Sequence, residues 1–296
     1  MLLKKMFKNK YGEIRGGWPL LVGVVLPFLG ATMPIGNSDY AGIVRRMFMI
    51  AGIFLLFWLF YKRPFRHLGL YRKHWERQLA LGALFGAVSV LLLIALLCIT
   101  GTIRLTDFNL AGFADATFWS GLFLFLFIAF FEELLCRGYM MTVLKTTRSK
   151  WVIVLVPAVI FSLLHISDGN ATLLTLVNVA LVALLFTYMF IKTGKLWLCI
   201  GFHFAWNFLE SRIIQDYNSV SQTPLVHATF TGPNWMTGGA FGLEGSIICT
   251  LVILLGFVFV RFCIKPFGKE EKFWSIDSDM PLTRNTSSTH FLQNPK

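Results

Sequence analysis

The chain is poor in charge. Asp, Glu, Lys and Arg make up 14% of its 296 residues, against about 25% in an ordinary soluble domain. Hydrophobic residues make up 56%, and Phe alone occurs 30 times. That balance excludes a water-solvated globule and suits a chain solvated by lipid. The cysteines form no pattern either. Cys98, Cys136, Cys199, Cys249 and Cys263 all lie in apolar runs and none forms a CxxC pair. A disulfide framework and a zinc ribbon are therefore excluded, and buried free thiols are expected. There is also no convincing internal repeat, which removes a common signature of transporters.

What charge there is has one sign. The net charge of +12 invites a nucleic-acid reading, but Lys and Arg sit in tails and short loops between apolar runs. Anionic headgroups and the topology rule account for them, with no nucleic-acid partner. Eight runs approach the roughly 20 apolar residues of a membrane span: 18–36, 45–62, 79–100, 118–144, 151–167, 171–192, 196–213 and 246–264. The first follows a basic segment, but no small-residue cleavage site stands near Gly36, so it is read as a retained helix rather than a signal peptide. With the N-terminus cytoplasmic, inner segments hold 22 of the 27 basic residues and outer loops hold four, namely Arg45, Arg46, Arg104 and Arg212. The expected fold is all-α: a polytopic membrane helical bundle of about eight transmembrane helices, both termini cytoplasmic.

Four regions follow: an N-terminal three-helix membrane region at 1–117, a polar-bearing core at 118–213, an outer loop and last helix at 214–264, and a polar, disordered tail at 265–296. The loop at 214–245 is rich in Gly, Asn, Ser and Thr and is expected to be a loosely ordered cap.

An ionisable side chain inside a span costs several kcal/mol and points to function. Three clusters stand out on the fourth, fifth and seventh runs, while the other five are nearly clean. The first is Glu132-Glu133…Arg137. Glu133 and Arg137 share a helix face at i, i+4, with Glu on the favourable N-terminal side. Glu132 lies about 100° round the helix with no local partner, poised for proton transfer. The alternative places these charges among headgroups. The second is Phe161…His165, where a lone His on an apolar helix is ordinarily a satisfied core residue. The third is His203…Asn207, again i, i+4 on one face, which suits either interhelical hydrogen bonding or an oxyanion. Glu132 and His203 both count to about 10 Å from the basic face at 1.5 Å per residue. His165 counts to about 21 Å from Trp151, unless Pro157 is the first helical position. Residues 151–156 then lie near the interface, or the fifth span is tilted.

Taken together, EExxxR, FxxxH and HxxxN in this order resemble the CPBP family of intramembrane proteases, also called the CAAX-protease and bacteriocin-processing, or Abi, family. The resemblance covers about 118–213, and Leu196-Trp197 is similar to the family's usual lead-in to its last motif. It implies an intramembrane endopeptidase, a hydrolase, acting on a hydrophobic, lipid-modified (CAAX-like) or bacteriocin-type peptide. It further implies that Glu132, helped by His165, activates a water, that His203 and Asn207 stabilise the oxyanion, and that Glu133 and Arg137 hold the site together. The family is often labelled metalloprotease, and Glu132, His165 and His203 offer three zinc ligands with a fourth position open. No HExxH helix is present, so a metal-free glutamate site is favoured. The expected partners are membrane lipids and the peptide substrate, and the expected location is a bacterial plasma membrane. The alternative function is a non-catalytic bacteriocin self-immunity or scaffold protein. A proton-coupled transporter would need polar residues on more spans.

Overall fold

A computed structural model of the chain describes residues 8–9, 14–214 and 225–265. Most of the basic N-terminal segment, residues 215–224 of the long loop and the tail from 266 lie outside the described residues. Every apolar run is a helix: α1 (Gly17–Ala31), α2 (Asp39–Tyr61), α3 (Trp75–Ile99), α4 (Ala116–Glu133), α5 (Lys150–Leu164), α6 (Leu173–Thr193), α7 (Trp197–Phe208) and α8 (Ile247–Cys263). With its continuation, α4 spans Ala116–Thr147. Among the described residues, five helices, α2 to α6, are long and apolar enough to cross a membrane. Side-chain caps open several of them: Ser38 accepts from the Ala41 N–H, Ser149 from Val152 and Ser246 from Cys249, while Thr172 and Thr175 form a capping box. Each satisfies N–H groups that the first turn leaves unpaired. Large apolar side chains such as Leu21, Leu55, Leu84, Leu91, Phe123 and Leu254 point outward, as a lipid-facing belt requires.

Polar contacts define two faces. On the basic face, the Leu196 N–H donates to Gly69 O at 3.1 Å and Trp197 Nε1 to Tyr71 O at 2.8 Å. Lys192 Nζ reaches the Val260 and Arg261 carbonyls at the end of α8. On the opposite face, Asp39 Oδ2 accepts from Arg212 Nη2 at 2.7 Å and from the Ser120 hydroxyl at 2.6 Å, joining α2, α4 and the end of α7. Asn178 Nδ2 donates there to Glu244 O at 2.7 Å and Ser246 O at 2.9 Å.

Several expectations need correction. The described residues are mostly helical, as expected, with one addition: β1 (Ile103–Phe108) and β2 (Val226–Phe230) pair antiparallel, Ile103 opposite Phe230 and Leu105 opposite Ala228. The alternation of apolar and polar residues in Ile103–Thr106 suits a strand and was hidden by its loop position. Nor is the described part of the long loop loose, since Leu225, Thr237 and Leu243 are buried. Arg45 and Arg46 belong to α2, because Asp39 already lies in its first turn. Arg212 is buried in its ion pair rather than looped out. All five cysteines are free, yet Cys263 is exposed.

Pro157 lies inside α5 and is not its first residue. The depth mismatch has another origin. Gly138 of α4 comes against Leu68 and Leu196, and the helix continues to Thr147 before turning. The start of α5 therefore lies roughly 13 Å beyond the level of the Gly69 loop, at 1.5 Å per residue. Discounting that length brings His165 to the depth of Glu132, which stands six residues, or about 9 Å, from Gly138.

Helices α3 and α7 meet backbone to backbone. A Cβ on Gly82, Gly86 or Gly201 would collide with the main chain of Leu198, Phe202 or Leu79. Gly201→Ala should therefore force the helices apart and cost about 1–3 kcal/mol, as core overpacking does. Gly17→Ala, with open space around it, should be neutral. Thermal unfolding of the two variants in detergent checks this contrast.

Candidate active site

The centre of the site is built on a local change in helix pitch. Past Glu133, α4 winds as a π-helix over Leu134–Met140, all seven residues buried. Such wide turns are rare and recur at functional sites. The turn keeps Glu133 and Arg137 together: Arg137 Nη1 donates to Glu133 Oε1 at 3.0 Å, with the two side chains 1% and 0% exposed. Arg137 Nη2 donates to Ala183 O at 2.9 Å. Its guanidinium lies 4.8 Å from the Phe161 ring centre and 5.2 Å from that of Phe186. The cation is thus sandwiched by α5 and α6 while α4 neutralises it.

His203 of α7 joins the same carboxylate. Its Nδ1 lies 3.0 Å from Glu133 Oε1 and donates to it, and its ring stacks on Phe186 with centroids 5.4 Å apart. Nε2 then faces Glu132 Oε2 at 3.6 Å. That gap is too long for a direct hydrogen bond and suits a bridging atom. Glu132 is 22% exposed where Glu133 is sealed, so the two neighbours divide into an accessible carboxylate and a buried one. His165 begins the 3₁₀ turn that ends α5. Its Nδ1 donates to Phe161 O at 2.8 Å, which leaves the lone pair on Nε2.

Glu132, His165, His203 and Asn207 all line one cavity of about 430 Å³, within the range of small-molecule and peptide side-chain pockets. Glu133 and Arg137 sit behind it and are not among its lining residues. The metal reading fits less well. Among the described residues, no three His, Cys, Asp or Glu side chains are grouped closely enough to hold an ion; the contact of His203 Nδ1 with Glu133 leaves Nε2 open and does not itself argue against one.

Other lining residues escaped the sequence reading. Asn178 interrupts the sixth run, and Arg46 of α2, Glu210, Ser211 and Glu244 also border the cavity. Glu244 Oε1 accepts from Trp206 Nε1 at 2.7 Å, pinning the loop over the site. A lone Asn in an apolar helix and a lone Glu in a Gly-rich loop were the available signals.

Comparison with known proteins agrees with the motif resemblance. Residues 114–209 match the family model described as Type II CAAX prenyl endopeptidase Rce1-like, and this segment holds all six motif residues. No curated protein and no solved structure matches the chain.

Removing one partner of a buried ion pair strands the other. Arg137→Ala should lower stability by about 3–5 kcal/mol, whereas Glu132→Gln, at a partly exposed carboxylate, should leave the fold intact. Detergent-solubilised protein, followed by thermal unfolding and size exclusion, separates the two.

Proposed function

We propose that the protein is an intramembrane endopeptidase that hydrolyses a peptide bond in a hydrophobic or lipid-modified peptide through a glutamate-activated water. The observation that carries this reading is the convergence of Glu132, His165, His203 and Asn207, from three separate helices, on one cavity. An isolated polar residue in lipid invites many explanations; four with complementary chemistry on one wall invite few.

Glu132 takes a proton from a water held between it and the Nε2 of His165. The water oxygen adds to the scissile carbonyl carbon, and its π electrons move to the carbonyl oxygen. Asn207 Nδ2–H and a protonated His203 Nε2–H stabilise that oxyanion. Collapse of the tetrahedral adduct expels the amine, which takes the proton back from Glu132. Glu133 and Arg137 act by position: the carboxylate aims the imidazole of His203, and the guanidinium balances the carboxylate.

The same reading takes all eight helices as spans, with α1, α7 and α8 shorter than the rest. It puts the basic face, and with it both termini, on the cytoplasmic side of a bacterial plasma membrane.

Membranes from cells carrying the wild-type protein or Glu132→Ala should differ in new peptide termini, which N- and C-terminal proteomics reads. Cleavage should disappear in the variant while the protein accumulates normally. Full activity of Glu132→Ala defeats the proposal. Should protection against a bacteriocin survive both Glu132→Gln and His203→Ala, binding without catalysis explains the protein instead.

A further inference from the structure

The cavity extends from the motif residues towards one face of the bundle. Beyond the motif residues, its lining includes the end of α7 (Glu210, Ser211), the early turns of α6 and α8 (Asn178, Cys249) and the 225–245 loop (Phe241, Glu244). All of these lie on the face that carries the Asp39–Arg212 pair and the Asn178 contacts to Glu244 and Ser246. No residue of the basic loops at 62–74, 145–149 or 194–196 lines it. Towards those loops the floor is sealed by Arg137 and by Leu134–Leu144, buried throughout.

The helices explain the opening. Helix α5 packs on α4 chiefly along Leu134–Leu144, whereas Ala116–Glu133 leans mainly on α2 and α7. Above Glu132 the two helices part, and Phe125 and Ile128 of α4 line the cavity in that part of the bundle. An apolar flank and a polar mouth suit a peptide segment that lies partly in lipid and partly in water.

We propose that the substrate is a membrane-inserted peptide presented from the face opposite the basic loops, between α4 and α5. By the distribution of Lys and Arg this is the extracytoplasmic face. This deepens the endopeptidase reading and rests on it for the word substrate, but the access route stands on the cavity alone. It narrows the substrate class to peptides delivered to or exported across that face, and removes lipidated peptides displayed only at the face of the basic loops.

Single cysteines test the route without any hydrolysis. In a background lacking Cys98, Cys249 and Cys263, Phe241→Cys reports the mouth, Val182→Cys the cavity wall, and Arg72→Cys the basic loops. Sealed vesicles of both orientations are treated with a membrane-impermeant thiol reagent. Phe241→Cys and Val182→Cys should be labelled in the orientation that protects Arg72→Cys, and labelling should be lost when the vesicles are inverted. Labelling of either from the Arg72 side, or of Val182→Cys from neither side, overturns the proposal. Each variant must label in detergent, which excludes loss through misfolding as a cause of protection. The same pattern in a Glu132→Ala protein keeps the two proposals separable, since access is then read with catalysis removed.

Discussion

Two opposite charges buried among apolar helices organise the centre of this protein. Taking Glu133 and Arg137 out of water carries a desolvation penalty that their attraction offsets only when the geometry is good and the remaining donors are engaged. Here one guanidinium nitrogen reaches Glu133 and another the Ala183 carbonyl, while Phe161 and Phe186 cover its faces. Three helices are thereby fixed around one cation. The carboxylate then passes that order to a fourth, because Oε1 also receives His203 Nδ1. The orientation of the imidazole, and so the approach of Nε2 to Glu132, follows from an ion pair that never touches the cavity.

The pair also explains why two adjacent glutamates behave differently. Successive helix residues diverge by about 100°, so a carboxylate locked to Arg137 leaves its neighbour turned elsewhere. Glu133 is consumed by structure and Glu132 is left at the wall. Asn207, one turn beyond His203, reaches the same cavity because i and i+4 share a face. Phe161 and His165 repeat the device, with the Phe flanking Arg137 and the His lining the cavity. Only the first motif separates sealed groups from one that reaches the cavity; in the other two both residues line it.

That logic was legible in the sequence because helix periodicity is local. The apolar runs located each of α1 to α8, and the i, i+4 spacing of Glu133 and Arg137 foretold their contact. What escaped depended on distant segments. The partner strands Ile103–Phe108 and Val226–Phe230 lie more than a hundred residues apart, and neither is a strand without the other. Asn178 looked like a blemish in an apolar run until Glu244 and Ser246 came beside it. Arg212 read as a loop cation because its partner, Asp39, lies 173 residues away in the sequence. The depth of His165 failed for a similar reason: counting residues from an assumed interface ignores that α4 overshoots the loop it passes.

Hydrolysis inside a bilayer has to bring water and a peptide to one point without opening the membrane. A floor made of a buried ion pair and aromatic rings meets half of that demand: Glu133 Oε1 and two guanidinium nitrogens are hydrogen-bonded, while Arg137 Nε and Glu133 Oε2 stay buried without a hydrogen-bond partner. The other half falls to the opposite wall, where Asn178, Glu210 and Glu244 give water hydrogen-bonding partners along the cavity, as buried water requires. On the proposed access, water and substrate would share that route. The covering loop is then more than a cap: by holding Trp206 through Glu244, it borders that route one residue from Asn207 and ties the mouth of the cavity to its reacting wall.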